Sequence, residues 1–225
     1  MLAALFRFLD ARVGLKNCTI VLTADHGIPP IPERIKAMNA NFDGGRVDSA
    51  RLMKTCEAAL DRAFGPLDEG RRWLMLDDMS LLFLRGVLAE KKVAAEAAEN
   101  VVRDALLSLE FVGAAYTRTA LMTGAVTGEY AEATLMSFNR ERSGDVLYHP
   151  KPYWLPTDLK VGTNHGSPYT YDVHVPLVWF GAGVKPGVYS QRVGVDDIAP
   201  TLAKLLGLVP PPQSRGQVLF ARPAP

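Results

Sequence analysis

The stretch Thr19-Ile20-Val21-Leu22-Thr23-Ala24-Asp25-His26-Gly27 constrains this chain most. An apolar, β-branched run stops abruptly at an acid and an imidazole, with a glycine behind them. Consecutive apolar positions from Cys18 to Leu22 predict a strand buried on both faces, the pattern of a parallel sheet covered by helices. Open parallel sheets carry their chemistry outside the carboxyl ends of their strands, and Asp25 and His26 fall there. A carboxylate next to an imidazole suits zinc or a similar divalent ion. Gly27 would let the backbone turn so that both side chains reach one ion. Taken alone, the dipeptide is more often the mark of a strand-end Asp capping a turn beside a surface His.

Three later stretches change the weight of that pair. They are Gly162-Thr163-Asn164-His165-Gly166-Ser167, then His174-Val175-Pro176-Leu177 leading to Gly181, then Asp197-Ile198-Ala199-Pro200-Thr201-Leu202. In this order the set resembles the alkaline phosphatase superfamily. It is most similar to the type I phosphodiesterase/nucleotide pyrophosphatase branch, with its threonine-nucleophile alkaline phosphatases. The resemblance runs from about Leu5 to Leu219. It implies an α/β fold: the C-terminal part of an alkaline-phosphatase-like parallel-sheet sandwich. Residues 1–28 and 143–225 would form the core part, and 29–142 an inserted α+β cap lobe.

The resemblance also implies chemistry. Family members hold two divalent ions, expected to be Zn2+, that clamp the attacking and leaving oxygens at phosphorus. Asp25 and His26 would ligate one ion and His165 the other. An ion needs about three protein ligands to sit firmly, so both sites are incomplete in this chain. The nucleophile and the remaining ligands are expected in an N-terminal half that is absent here. The function implied is the C-terminal part of a metal-dependent phosphoric ester hydrolase, inactive alone. The alternatives are a sulfatase or phosphonate hydrolase of the same superfamily, or a non-catalytic remnant that serves as an interaction module. A phosphate ester would be the substrate of the intact enzyme, and a separate chain supplying the first half would be the partner. A periplasmic or secreted home follows from resemblance only.

Composition sets the outer limits. The 225 residues carry a formal charge of +1 and 48% hydrophobic residues, which suits a globular core and gives no electrostatic grip on a nucleic-acid polymer. No apolar run reaches transmembrane length. The first residues, broken by Arg7, Asp10 and Arg12, predict an amphipathic helix ending at Gly14 rather than a signal peptide. Cys18 and Cys56 are expected as free thiols.

Further elements follow from local signals. Asp48 should cap a helix from Ser49 to about Phe64, with Leu52, Met53, Cys56, Leu60 and Phe64 on one face and Gly65-Pro66 as its stop. Runs around Asp77-Asp78 predict a hairpin. A helix is expected over 93–109, another over 127–138, and strands over 111–116, 145–149 and 173–180. Asp197 is expected to cap a helix ending at Gly207. His149 has the look of a surface or cap residue. Asp172 and Asp145 are expected as turn groups or groups supporting a ligand. Thr23 is expected to be strand, not nucleophile.

Overall fold

A computed structural model describes residues 1–157 and 159–220. In chain order it begins with α1 (Leu2–Val13), β1 (Thr19–Leu22), α2 (Pro32–Met38), β2 (Gly45–Arg46) and α3 (Ser49–Phe64). A hairpin of β3 (Leu74–Asp77) and β4 (Ser80–Phe83) follows, then α4 (Val87–Glu90), α5 (Ala95–Leu107), β5 (Val112–Thr117), α6 (Arg118–Thr123) and α7 (Ala131–Ser137). The last elements are β6 (Val146–Pro150), β7 (Trp154–Leu155), α8 (Thr170–Val173), β8 (Val178–Gly181) and α9 (Ile198–Leu206). Among the described residues no helix is long and apolar enough to cross a membrane.

The chain divides into two units, His26–His174 and the combination of Met1–Asp25 with Val175–Pro225. The larger unit takes in residues 29–142 together with 143–174, whose strand β6 lies in the same sheet as β3, β4 and β5. Its four-stranded antiparallel sheet has the order β3-β4-β6-β5, and β2 pairs with β7 in parallel. The core lies between the sheet and helices α3 and α5. Leu52, Cys56 and Leu60 from α3 meet Val102 and Leu106 from α5 and Trp73, Leu81, Phe111, Val146 and Tyr148 from the strands and their approaches.

Helix α3 forms where its signals place it. The Asp48 carboxylate accepts from the Arg51 amide (2.9 Å), and Gly65 closes the other end at φ 81°. Its heptad-like stripe then falls on the core. Burial in this apolar setting pushes the Cys56 thiol up to about 12, so the thiol stays protonated and inert. The Glu57 carboxylate accepts from the Trp73 and Leu74 amides at 3.0 and 2.9 Å, which fixes the entry of β3 against α3. Asp145 does the same for the sheet interior by accepting from the Phe83 amide at 2.8 Å.

The smaller unit is built on a two-stranded ribbon of β1 and β8. Here the expected parallel arrangement of these two runs is corrected: they pair antiparallel, Thr19 opposite Gly181 and Leu22 opposite Val178. An apolar run carries no information about strand direction. Direction is set by the connection, and here the chain leaves from Leu22 and returns at its partner Val178, so the whole larger unit is the loop of one hairpin. Burial on both faces is corrected too. Leu22, Val178 and Phe180 remain 44%, 51% and 44% exposed. Of the stretch 173–177, expected as strand, Val173 ends the short turn of α8 and residues 174–177 follow it without regular structure. The helix expected over 127–138 is shorter, beginning after Tyr130.

At Gly181, φ is 102° and an added Cβ would lie 2.0 Å from the Cys18 carbonyl, so only glycine lets the ribbon close against the preceding turn. Helix α9 ends at Gly207, as expected, in the left-handed conformation. Asp197 does not cap it through its side chain. Its carboxylate accepts from the Gly194 amide (2.8 Å) and the Gln217 amide (2.6 Å), strapping the proline-rich tail to the helix start. Buried Thr201 accepts from the Leu219 amide at 3.0 Å and completes the strap. Both cysteines are free.

Candidate functional site

The residues singled out for metal chemistry fall on either side of the division between the units, which lies between Asp25 and His26. Within the larger unit the structure brings His26 and His165 together. Their rings stack with centroids 3.5 Å apart and planes 8° from parallel. The two residues are separated by well over a hundred positions in sequence, so the stack is a product of tertiary structure.

Each ring is held by its own loop. The His26 Nδ1–H donates to the Gly27 carbonyl at 2.6 Å. A carbonyl can only accept, so this bond places a proton on Nδ1, and in the neutral ring the lone pair is then on Nε2. The Gly27 amide donates to the Asp172 carbonyl, also at 2.6 Å. A Cβ at Gly27 would sit 2.1 Å from the Tyr171 carbonyl. Glycine is needed here for close backbone approach, not for the sharp turn that its place behind Asp25-His26 suggested.

The His165 loop is tied along its length. The Gly162 carbonyl accepts from the Arg46 guanidinium at 2.9 Å. The Thr163 hydroxyl donates to the Pro29 carbonyl at 2.8 Å, and the Asn164 amide group donates to the Pro156 carbonyl at 3.2 Å. The Asn164 side-chain oxygen accepts from the His165 amide at 2.9 Å, so Asn164 shapes the loop that presents His165. Ser167 donates through both its amide (2.8 Å) and its hydroxyl (2.6 Å) to one oxygen of Asp172. Gly166 takes φ +104°, a conformation that lets the chain turn directly after the ligand candidate.

Arg46 is itself aimed by Glu33, which accepts from its guanidinium at 2.8 Å. That hydrogen bond holds the Glu33 carboxyl below the usual carboxylate range. The tip of the β3–β4 hairpin reaches this region as well. Asp78, in the left-handed region at φ 50°, has its pKa raised, first by burial and then by Asp77, while His165 lowers it. A carboxylate near His165 was not foreseen, because a hairpin tip carries no signal of what it will face.

Other expectations resolve differently. His149 is not a surface residue. It lies in β6 between Tyr116 and Tyr130, and its Nε2 lies 2.7 Å from the Thr134 hydroxyl. That hydroxyl donates to the Tyr130 carbonyl, so it accepts from Nε2–H. Burial lowers the His149 pKa, and its buried Nδ1 has no hydrogen-bond partner. Alternation along β6 puts His149 on the face covered by α7. His174 is exposed at the end of α8. Among the described residues no cluster of three His, Cys, Asp or Glu side chains is arranged to hold a metal ion.

No protein-family model matches the chain. Among curated proteins it is similar to the alkaline phosphatase PhoV of Synechococcus elongatus, 28% identical over 214 residues, covering 95% of this chain and 37% of PhoV. It is likewise similar to the alkaline phosphatase PhoK of a Sphingomonas species, 31% identical over 228 residues, covering 97% of this chain and 40% of PhoK. Among solved structures it superimposes on wild-type alkaline phosphatase PafA with a TM-score of 0.84 at 27% identity, covering 97% of this chain and 40% of that one. The chain therefore spans about 40% of the length of the relatives it matches. Over that span, which corresponds to the C-terminal portion of the PafA fold, the chain is related to the alkaline phosphatase superfamily.

Proposed function

We propose that this chain supplies one wall of the metal centre of a phosphoric ester hydrolase. The observation that carries the proposal is the stack of His26 on His165. An imidazole binds a metal through a lone pair lying in its ring plane. Two rings in nearly parallel planes 3.5 Å apart share no good common point, so they suit two ions rather than one. That spacing is comparable to the roughly 3.5–4 Å between the ions of two-metal sites. The His26 tautomer fits, since its lone pair is on Nε2 and Nδ1 is engaged by the backbone.

In this reading Asp25 and His26 serve one ion and His165 the other. Oxygen and imidazole donors suit zinc. When bound, the ions stabilise the attacking and leaving oxygens of a displacement at phosphorus. The chain's own residues orient the imidazoles and set their separation. With fewer than about three protein ligands per ion, the other ligands and the nucleophile must come from outside these residues. The natural source is a polypeptide equivalent to the remainder of the relatives. The open edges of the β1–β8 ribbon and its exposed Leu22, Val178 and Phe180 offer such a polypeptide a strand to pair with and an apolar face to cover.

The test is an assay of the purified chain on an aryl phosphate with added zinc. Hydrolysis should run no faster than a zinc-only blank. Addition of a folded polypeptide carrying the nucleophile should produce activity that Asp25→Ala or His165→Ala abolishes. Zinc-dependent turnover by the isolated chain that survives purification to homogeneity would overturn the proposal.

A further inference from the structure

We propose that Asp172 is a positioning residue that holds His26 and His165 in their stack. This rests on the reading of the two histidines as ligands to neighbouring ions. Asp172 is only 3% exposed, although its ordinary state is a charged carboxylate. One carboxylate oxygen accepts both Ser167 bonds, two residues beyond His165. Its backbone carbonyl accepts from the Gly27 amide, one residue beyond His26. The loops that carry the two rings are therefore both hung from a single residue.

The other carboxylate oxygen is buried and has no hydrogen-bond partner. A buried carboxylate with an unsatisfied oxygen costs stability, on the order of 1–3 kcal/mol or more. A smaller neutral group could hold Ser167 without that cost. A carboxylate with a buried oxygen left unpaired at this position therefore points to a role beyond stability. That role is local: Asp172 and His165 line the same cavity of about 10 Å³, together with Asn164 and Ser167. Asp172 acts on the rings through their loops, by the Ser167 bonds and the Gly27 amide, as outer contacts that orient ligands do.

The geometry also explains why the coupling is rigid. The two Ser167 bonds close the 167–172 segment on itself, so the Asp172 carbonyl cannot shift without moving the His165 loop. Any side chain at position 27 would meet the Tyr171 carbonyl and lift His26 off Asp172. Moving Asp172 changes both ring positions together, and with them the separation of whatever the rings bind.

The experiment uses the full chain and two readouts. The first needs no metal. Ring protons of His26 and His165 should resonate upfield of those of exposed His174, because each ring sits over the other. In Asp172→Ala both sets should move towards the His174 position, while those of His149, held under α7 between Tyr116 and Tyr130, stay where they are. Unchanged His26 and His165 resonances in that variant would overturn the proposal. The second readout is a titration with cobalt(II) alone. Asp172→Ala should weaken binding about 10- to 100-fold, with Asp172→Asn in between because its amide oxygen can still accept from Ser167. If Asp172→Ala also displaces the His149 resonances, Ser167→Ala decides. It removes one of the two bonds and should shift both rings in the same direction by less, and no shift would overturn the proposal. Cobalt binding that is identical in wild type, His26→Ala and His165→Ala would sink the metal reading, and the ring shifts then decide the positioning role alone.

Discussion

The two units differ in how much of their apolar surface they bury for themselves. The His26–His174 unit closes a core in which Trp73, Leu52, Leu60 and Tyr148 are essentially inaccessible. The other unit has a 12-residue helix, α1, with no buried residue, and a ribbon whose apolar side chains stay about half exposed. A two-stranded ribbon alone is at best marginally stable in water. The contrast teaches that similar apolar content does not make similar cores. What matters is whether each apolar face has another element to close on. In the larger unit α3 and α5 cover the sheet, whereas the ribbon is met by Phe6 of α1, stacked on Phe180, and by Phe220, edge-on to Trp179, and Leu22, Val178 and Phe180 stay about half exposed.

That contrast can be broken by mutation. The largest effect is expected at Trp73, whose indole is fully buried and whose ring nitrogen donates to Asp61 at 2.8 Å. Trp73→Ala should cost about 3–5 kcal/mol in denaturant unfolding. A loss below roughly 1 kcal/mol would mean that the core of the larger unit is not what holds it. Next comes Glu57, where removal of the carboxylate leaves the Trp73 and Leu74 amides without their acceptor. Glu57→Ala should cost about 1–3 kcal/mol, read as a shift in denaturant midpoint at unchanged slope.

A smaller effect is expected from pH. Burial lowers the His149 pKa in the folded protein, so below the unfolded value near 6.5 the unfolded chain binds the extra proton first. The stability present above that pH should fall as pH drops through the folded value. His149→Gln should flatten that part of the profile, and a wild-type stability that rises on acidification from pH 7 would contradict the burial. The smallest effect is expected in α1. Leu5→Ala, at a side chain 47% exposed, should change stability by no more than about 0.5 kcal/mol. The same substitution should become several-fold more costly if a partner covers this face, which turns the weakest mutation into the sharpest probe of the comparison.

Much of the fold was legible where the signal is local. Asp48, the stripe from Leu52 to Phe64 and Gly65 each act within a few residues, and together they bound α3 correctly. The hairpin of β3 and β4 was legible for the same reason. The direction of β8 against β1 was not, because it depends on where a long intervening segment returns. The candidate site divides in the same way. His26 and His165 stood in stretches that resemble motifs of a known superfamily, and the structure brings the two rings together. Asp172 was expected as a turn group or a group supporting a ligand, whereas the parts played by Asn164 and Asp78 were hidden, since each acts through a contact made by folding. The true constraint on Gly27 lies 144 and 145 residues away in sequence, at the Tyr171 and Asp172 carbonyls.

The bond between the Gly27 amide and the Asp172 carbonyl has a consequence for how the chain assembles itself. Strands β1 and β8 are separated by roughly 150 residues, and closing so long a flexible loop costs about 3 kcal/mol more than closing a tight turn. Once the larger unit has folded, its two ends are clasped by a single hydrogen bond, and the entropy of that loop has already been spent. The ribbon then pairs as if joined by a turn of a few residues. Connectivity therefore favours an order in which residues 26–174 fold first and the two strands that flank them in sequence pair afterwards.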